Sequence, residues 1–111
     1  MKWTVHCFLL LFSAHTMSAQ CWSLVWEDNF NGTTLNTADW NYAIGGSFNN
    51  ELQYYSDSPN NVKVENGLLK LTARQESLNG YDYSSGRIDT RFKVGFTYGR
   101  VEGRMKLTRG Q

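Results

Sequence analysis

The sequence is poor in the residue types on which several kinds of active site depend. Its 111 residues include two histidines, two cysteines and one proline. His6, His15 and Cys7 all lie near the N-terminus, so residues 20–111 contain no histidine and only one cysteine, Cys21. This excludes a Ser-His-Asp triad, a Cys-His pair and a histidine-ligated zinc site from that segment. An internal disulfide is excluded there too, and in an oxidising compartment Cys21 would need a partner from outside the segment.

The sequence also lacks an excess of either positive or negative charge. The formal net charge is +1, and 19% of the residues are charged. A nucleic-acid partner would require a basic face to neutralise phosphates, so we expect none. The chain is nevertheless rich in aromatic residues, with four Trp, six Tyr and six Phe, and 41% of it is hydrophobic. This composition predicts a packed domain and argues against a disordered chain.

The N-terminus has the organisation of a secretory signal peptide. A positive start at residues 1–2 is followed by a mostly apolar run at 3–12 and by small and polar residues at 13–19. The apolar run is too short to span a bilayer. We therefore expect residues 1–19 to be cleaved, giving a secreted, extracellular protein with no membrane attachment. A buried N-terminal strand is the alternative interpretation.

Apolar and polar residues alternate with a period of two in several segments, which is the pattern of half-buried strands. Around Asn66-Gly67 the alternation predicts a β-hairpin, because Asn-Gly accepts the positive φ of a tight turn. The predicted strands are Leu24–Trp26, Val62–Val64, Leu69–Arg74, Ile88–Val94 and Val101–Leu107. Strands of this length and spacing predict an all-β sandwich.

Two features bear on the extent of the domain. Residues 41–61 are rich in Gly, Asn, Ser and Tyr, and we expect them to form an ordered loop that lines a surface. The predicted strands are too few to cover both faces of a sandwich, which often needs about 200–250 residues. We therefore expect residues 20–111 to be the front part of a larger domain, prone to aggregate when expressed alone.

Six segments carry a family resemblance when they are taken together and in order. They are Leu24–Gly32, Trp40–Tyr42, Asn49–Tyr55, Asn61–Leu69, Tyr83–Ile88 and Tyr98–Leu107. Their sequence and spacing resemble glycoside hydrolase family 16, in particular the laminarinase-like endo-β-1,3-glucanases and the related β-glucan recognition proteins. The resemblance implies an all-β jelly-roll (concanavalin A-like) sandwich, of which residues 20–111 are the N-terminal part. Its concave sheet would form a cleft for a β-glucan polysaccharide.

The resemblance also implies a retaining mechanism, which requires two carboxylates about 5–5.5 Å apart. The family carries them in a Glu-x-Asp-x-x-Glu motif, and no such motif occurs between Gln20 and Gln111. The sequence therefore contains no catalytic residue of this kind, and we expect the chain to be inactive alone. Its own carboxylates, such as Asp89 and Glu102, are interpreted as solvated strand residues.

Binding residues are implied by the same resemblance. Asn50 and Arg87 match family positions that contact sugar hydroxyls, and an amide and a planar guanidinium suit hydroxyl arrays. The alternatives are a loop amide that caps its own backbone and a surface strand charge. Phe48 or Tyr54 could stack on a sugar, although packing is the simpler role.

Two further sites concern an ion and a glycan. No cofactor is required, but many family members bind a structural calcium through main-chain carbonyls at positions that match Asn29 and Gly67. Oxygen ligands suit this hard cation. In a secreted protein Asn31-Gly32-Thr33 is an N-glycosylation sequon, with Asn31 as the acceptor.

Three functions stay open at the level of sequence. The first is a secreted endo-β-1,3-glucanase, a monomer when complete. The second is a β-glucan recognition protein that binds without cutting. The third is a related hydrolase acting on a mixed-linkage glucan or a galactan. The catalytic glutamates that would separate the first two would lie after Gln111.

Overall fold

The computed structural model describes residues 21–46 and 48–108, so the predicted signal peptide lies outside the described residues. The described residues contain no helix, and thus none suited to crossing a membrane. The prediction of an all-β chain is confirmed. The strands are β1 Asn41–Tyr42, β2 Gln53–Tyr55, β3 Val62–Glu65, β4 Leu68–Leu71, β5 Arg74–Leu78, β6 Tyr81–Ser85 and β7 Ile88–Asp89.

The hairpin predicted around Asn66-Gly67 is confirmed as β3 and β4. Val62 pairs with Leu71, and the pairing continues to the turn. Both turn residues have positive φ, 54° at Asn66 and 71° at Gly67, as a two-residue hairpin turn of the primed type requires. Val62 and Val64 are buried, which places the apolar side of the hairpin in the small core.

On the outer side of this hairpin, Glu65 lies between two lysines. The Nζ of Lys63 is 2.5 Å from Oε2 of Glu65, and the Nζ of Lys70 is 2.7 Å from Oε1. Hydrogen bonds from these lysines lower the pKa of Glu65 from 4.5 to about 2. Because the pKa is lower in the folded state, the resulting stabilisation is complete above pH 4.5 and is lost as the pH falls towards about 2.

We expect Lys70→Met to raise the pKa of Glu65, because one of its two charged donors is removed. An NMR titration of the Glu65 carboxyl carbon measures this directly. Lys106→Met, on the exposed segment after the last strand, is the control and should leave that pKa unchanged. An unchanged Glu65 pKa in Lys70→Met would contradict the assignment.

A second sheet has the order β2-β6-β5. Strands β5 and β6 form an antiparallel hairpin whose turn residues, Asn79 and Gly80, have φ of 50° and 84°. Strand β2 pairs with β6 in parallel, from Gln53 opposite Tyr83 to Tyr55 opposite Ser85. Strands β1 and β7 form a separate antiparallel pair, in which Tyr42 lies opposite Ile88.

A buried polar cluster joins the β2-β6-β5 sheet to the β3-β4 hairpin. Asn61 is 1% exposed, and its Oδ1 accepts a hydrogen bond of 2.6 Å from Oγ of Ser56. Its Nδ2 donates to Oγ of Ser84 at 2.8 Å and to the carbonyl of Thr72 at 3.0 Å. Ser84 is fully buried, and its Oγ donates in turn to Glu76, which lowers the pKa of that carboxyl. Every polar group of the cluster therefore has a partner.

Four predictions on strands are wrong or too long. The predicted strand Leu69–Arg74 is divided, because β4 ends at Leu71 and β5 begins at Arg74. Leu24–Trp26 and Val101–Leu107 are not strands, since neither has a backbone partner strand among residues 21–46 and 48–108. Of Ile88–Val94 only the first two residues are paired, because the chain turns at Phe92, where φ is 61°. The predicted loop at 41–61 instead contains β1 and β2.

Side chains rather than a ladder anchor the segment before β1. The indole of Trp26 donates to Asp39 at 3.2 Å, and that of Trp40 donates to Asp28 at 2.8 Å. The two indoles meet edge to face, with ring centres 5.6 Å apart, and Phe30 packs on Trp40. This geometry is favourable for aromatic pairs, so the segment is held without strand pairing.

Candidate functional site

The β2-β6-β5 sheet has two distinct faces. A Cβ added at Gly86 would lie 2.6 Å from Cγ2 of Val62, and Ser84 contacts Asn61, so the even-numbered positions of β6 and its extension face the hairpin. Because side chains alternate along a strand, Tyr83, Ser85 and Arg87 project to the other side. We call this side, turned away from the β3-β4 hairpin, the open face.

Arg87 is fixed on the open face by two aromatic rings. Its guanidinium carbon lies 5.3 Å from the ring centre of Phe48 and 5.6 Å from that of Tyr55. The two rings also contact each other, with centres 5.8 Å apart. A guanidinium held over aromatic faces keeps its N–H groups in a defined plane. The structure thus gives Arg87 a defined setting rather than that of an isolated surface charge.

A hydrogen-bond network lies under this cation. The hydroxyl of Tyr55 donates to Oε2 of Glu51 at 2.7 Å, and Nε2 of Gln53 donates to the Tyr55 oxygen at 2.8 Å and to Glu51 at 3.3 Å. Burial and the hydrogen bond to Glu51 raise the pKa of Tyr55. The phenol therefore stays protonated and keeps donating its hydrogen bond to Glu51. This network fixes the ring on which Arg87 rests.

A second polar pair borders Arg87 at the β1-β7 junction. Nδ2 of Asn41 donates to Oδ1 of Asp89 at 3.0 Å and to the carbonyl of Arg91 at 2.9 Å. The hydrogen bond from Asn41, followed by the one from the Arg91 backbone, lowers the pKa of Asp89. Asp89 is thus a strongly ionised carboxylate that is already hydrogen-bonded, as expected for an acceptor rather than a proton donor.

Asn50 lies in the exposed turn that precedes β2. Both Asn49 and Asn50 adopt positive φ, 51° and 58°, and the turn closes through a hydrogen bond of 2.9 Å from Glu51 N to the carbonyl of Phe48. The same turn therefore contains both Asn50 and Phe48, one of the two rings that contact Arg87. Phe48 packs on Tyr55, and Tyr54 packs on Tyr81 with ring centres 5.8 Å apart. Phe48 and Tyr54, the two rings considered for stacking on a sugar, thus both pack against other rings of the chain.

Sequence reasoning missed the supporting residues of this face. Glu51, Gln53 and Tyr55 are spaced two apart, which is the signal that would have placed all three on one face of a strand. The prediction of a loop at 41–61 makes no use of this spacing. Asp89, predicted to be a solvated strand residue, accepts a hydrogen bond from Asn41 in the structure.

Three carboxylates among residues 21–46 and 48–108 accept hydrogen bonds from neighbouring groups. Glu51 is engaged by Tyr55 and Gln53, and Asp89 is engaged by Asn41. Asp28 accepts from Trp40 and from the backbone of Phe30. Each of these three carboxylates is therefore held as an acceptor by groups of the chain itself.

The loops expected to hold a cation do come together. A Cβ added at Gly67 would lie 4.0 Å from the carbonyl oxygen of Asn29 and 3.6 Å from Oδ1 of Asn31. These oxygens are of the kind that calcium prefers, although it takes six to eight of them. Among the described residues no group of three His, Cys, Asp or Glu side chains could hold a metal. The donors present fit a hard cation, and a complete shell would need further oxygens.

Two curated relatives match most of the described chain. It is 43% identical over 105 residues to glucan endo-1,3-beta-glucosidase A1 of Niallia circulans, covering 79% of this chain and 15% of that protein. It is 40% identical over 90 residues to the clotting factor G alpha subunit of Tachypleus tridentatus, covering 78% of this chain and 13% of the relative. The chain thus spans a small part of the length of these relatives. No protein-family model matches it.

Solved structures give the same result. The laminarinase from Rhodothermus marinus is 43% identical with a TM-score of 0.67, covering 70% of this chain and 33% of that one. A mutant of SCLam, a non-specific endo-beta-1,3(4)-glucanase from family GH16 co-crystallised with 1,3-beta-D-cellotriosyl-glucose, is 39% identical with a TM-score of 0.64. That match covers 69% of this chain and 34% of the other. The jelly-roll prediction is confirmed, with sheets that do not close over the described residues.

Proposed function

Because this chain belongs to glycoside hydrolase family 16, we propose that it forms part of the glucan-binding cleft of a secreted, retaining endo-β-1,3-glucanase. In this proposal the open face binds a laminarin-type β-1,3-glucan through Arg87 and Asn50. The nucleophile and the acid/base would come from a Glu-x-Asp-x-x-Glu strand outside the chain. The chain alone is then a binding element and does not hydrolyse glucan.

The setting of Arg87 carries this proposal. A guanidinium held over Phe48 and Tyr55, on the sheet face turned away from the β3-β4 hairpin, is an oriented donor array. Glucan hydroxyls are neutral acceptors and donors, so a rigid planar fork next to a turn amide suits them. The pre-ordering by Glu51 and Tyr55 reduces the entropy lost on binding.

We expect Arg87→Ala to weaken binding of the chain to laminarin by about 10- to 100-fold, the range for losing a charged hydrogen-bonding group. Isothermal titration calorimetry with laminarin gives the dissociation constants. Arg74→Ala is the matched control, because Arg74 lies on β5 and pairs with Glu76 on the side of the sheet opposite the open face. It should bind like the unmodified chain.

Two results would overturn the proposal. One is a correctly folded chain that shows no laminarin binding. The other is an equal loss of binding in Arg74→Ala and Arg87→Ala, which would indicate a general charge effect. Dextran, an α-linked glucan, serves as the negative ligand, since an oriented site should distinguish the two polymers.

A non-catalytic β-glucan recognition protein is the second candidate. The similarity to a clotting-factor subunit is the observation that favours it. Sequencing the transcript past the Gln111 codon separates the two candidates: an open frame with Glu-x-Asp-x-x-Glu supports the hydrolase, and a frame without it supports the recognition protein.

Three accessory features belong to the same proposal. Cleavage after residue 19 would deliver the protein to the extracellular space, where the exposed Asn31 can carry a glycan. A structural calcium would use the main-chain carbonyls of Asn29 and Gly67, away from Arg87. The complete protein would act as a monomer.

A further inference from the structure

A row of three side chains crosses the open face beyond Arg87. Tyr83 on the central strand β6 lies opposite Gln53 of β2 on one side and Gln75 of β5 on the other. Residues directly opposite each other in a sheet project to the same face. The open face therefore presents an aromatic ring between two amides, and we call these three residues the Gln-Tyr-Gln row.

The central ring of the row is accessible. Tyr83 is 41% exposed although it lies on the central strand, and none of the aromatic pairs among the described residues includes it. Gln53 is fixed by its bonds to Glu51 and Tyr55, both made through Nε2. Its carbonyl oxygen is thus left to accept from a ligand. Gln75 is exposed, so its amide can both donate and accept.

We propose that the Gln-Tyr-Gln row is an outer subsite that stacks one glucosyl ring of a chain bound at Arg87. The inference rests on the proposed function of the open face. A β-glucosyl ring has its hydroxyls at the rim and C–H groups on its faces, so it can lie on an aromatic ring while amides on either side bind the rim. Dextran and short oligosaccharides would not contact both Arg87 and the Gln-Tyr-Gln row.

The spacing sets a length requirement. Tyr83 and Arg87 are four residues apart along an extended strand, which corresponds to about 13 Å at 3.3 Å per residue. A sugar at Arg87 therefore cannot also cover Tyr83 when the ligand is as short as a disaccharide. A longer laminari-oligosaccharide reaches both, so the contribution of the row should appear only above a threshold length.

The test compares laminaribiose with laminarihexaose by calorimetry on the full chain. We expect Tyr83→Ala to weaken hexaose binding by about 5- to 10-fold, the range for a lost aromatic contact, and to leave biose binding unchanged. Tyr83→Phe keeps the ring and should bind both ligands within about two-fold of the unmodified chain. Arg87→Ala should weaken both ligands.

The outcomes separate the two proposals. If Tyr83→Ala binds hexaose normally while Arg87→Ala does not, the outer subsite is wrong and the proposed function stands. If the unmodified chain binds neither ligand, both are overturned. Nitration of Tyr83 in the unmodified chain, followed by mass spectrometry, avoids any folding defect of a variant: hexaose should slow it and biose should not, and equal rates would overturn the subsite.

Discussion

Gly86→Ala should destabilise the chain by about 3 kcal/mol, near the upper end for overpacking a closed site. The added methyl group would meet the backbone oxygen of Asn61 and would lie 2.6 Å from Cγ2 of Val62 and 2.9 Å from the carbonyl carbon of Asn61. Two of these three contacts are with backbone, which cannot rotate away as a flexible side chain can. The β2-β6-β5 sheet and the hairpin would therefore be pushed apart.

Urea unfolding followed by circular dichroism measures this loss as a lower midpoint. Gly95→Ala is the matched control, because nothing lies within 4 Å of its added methyl group and its φ is not in the left-handed region. It should change the free energy of unfolding by less than about 0.5 kcal/mol. Similar midpoints for the two variants would show that the layers are not in close contact at Gly86.

Asn61→Ala should have an effect of the same size, about 3 kcal/mol, through a different mechanism. Removing the amide leaves Oγ of Ser56 without its acceptor and deprives Ser84 and the Thr72 carbonyl of a donor. Because Asn61 and Ser84 are 1% and 0% exposed, bulk water cannot replace these bonds without opening the structure.

The adjacent Asn60→Ala is the control for Asn61→Ala. The Asn60 side chain is exposed, and the hydrogen bond of 3.2 Å at this position is donated by its backbone to Ser58. Amide hydrogen exchange at β6 provides a second measurement, and protection should fall in Asn61→Ala only. Equal exchange in the two variants would contradict a role for the buried amide in joining the layers.

The part of the fold that sequence predicted is the part with local signals. The β3-β4 hairpin has both a strong Asn-Gly turn and apolar alternation. The β5-β6 hairpin has the same turn at Asn79-Gly80, but its strands carry polar residues on both faces, so the alternation is weak. Leu24–Trp26 and Val101–Leu107 have strand-like alternation, yet a strand also requires a backbone partner, which a pattern within one segment does not specify.

The candidate site likewise combines residues that the sequence indicates with residues that only the tertiary structure brings together. Asn50 and Arg87 were identified from the resemblance, whereas the rings that hold Arg87 come from positions 48 and 55, more than thirty residues away. Such a cation–aromatic contact depends on how β2 aligns with β6. Pairing of Gln53 with Tyr83 is a tertiary feature with no local sequence signal. The supporting network could therefore be recognised only in the structure.

The parallel pairing of β2 with β6 also leads us to expect a particular order of folding. The β3-β4 and β5-β6 hairpins close short loops, and such hairpins form in about 1–10 μs. Joining β2 to β6 requires closing the chain between Gln53 and Tyr83, and the entropic cost of this closure falls once the two hairpins have shortened that loop. We therefore expect the contact between Tyr55 and Arg87 to form after the two hairpins. A glucan bound across it would stabilise this late-formed pairing and so oppose its local unfolding.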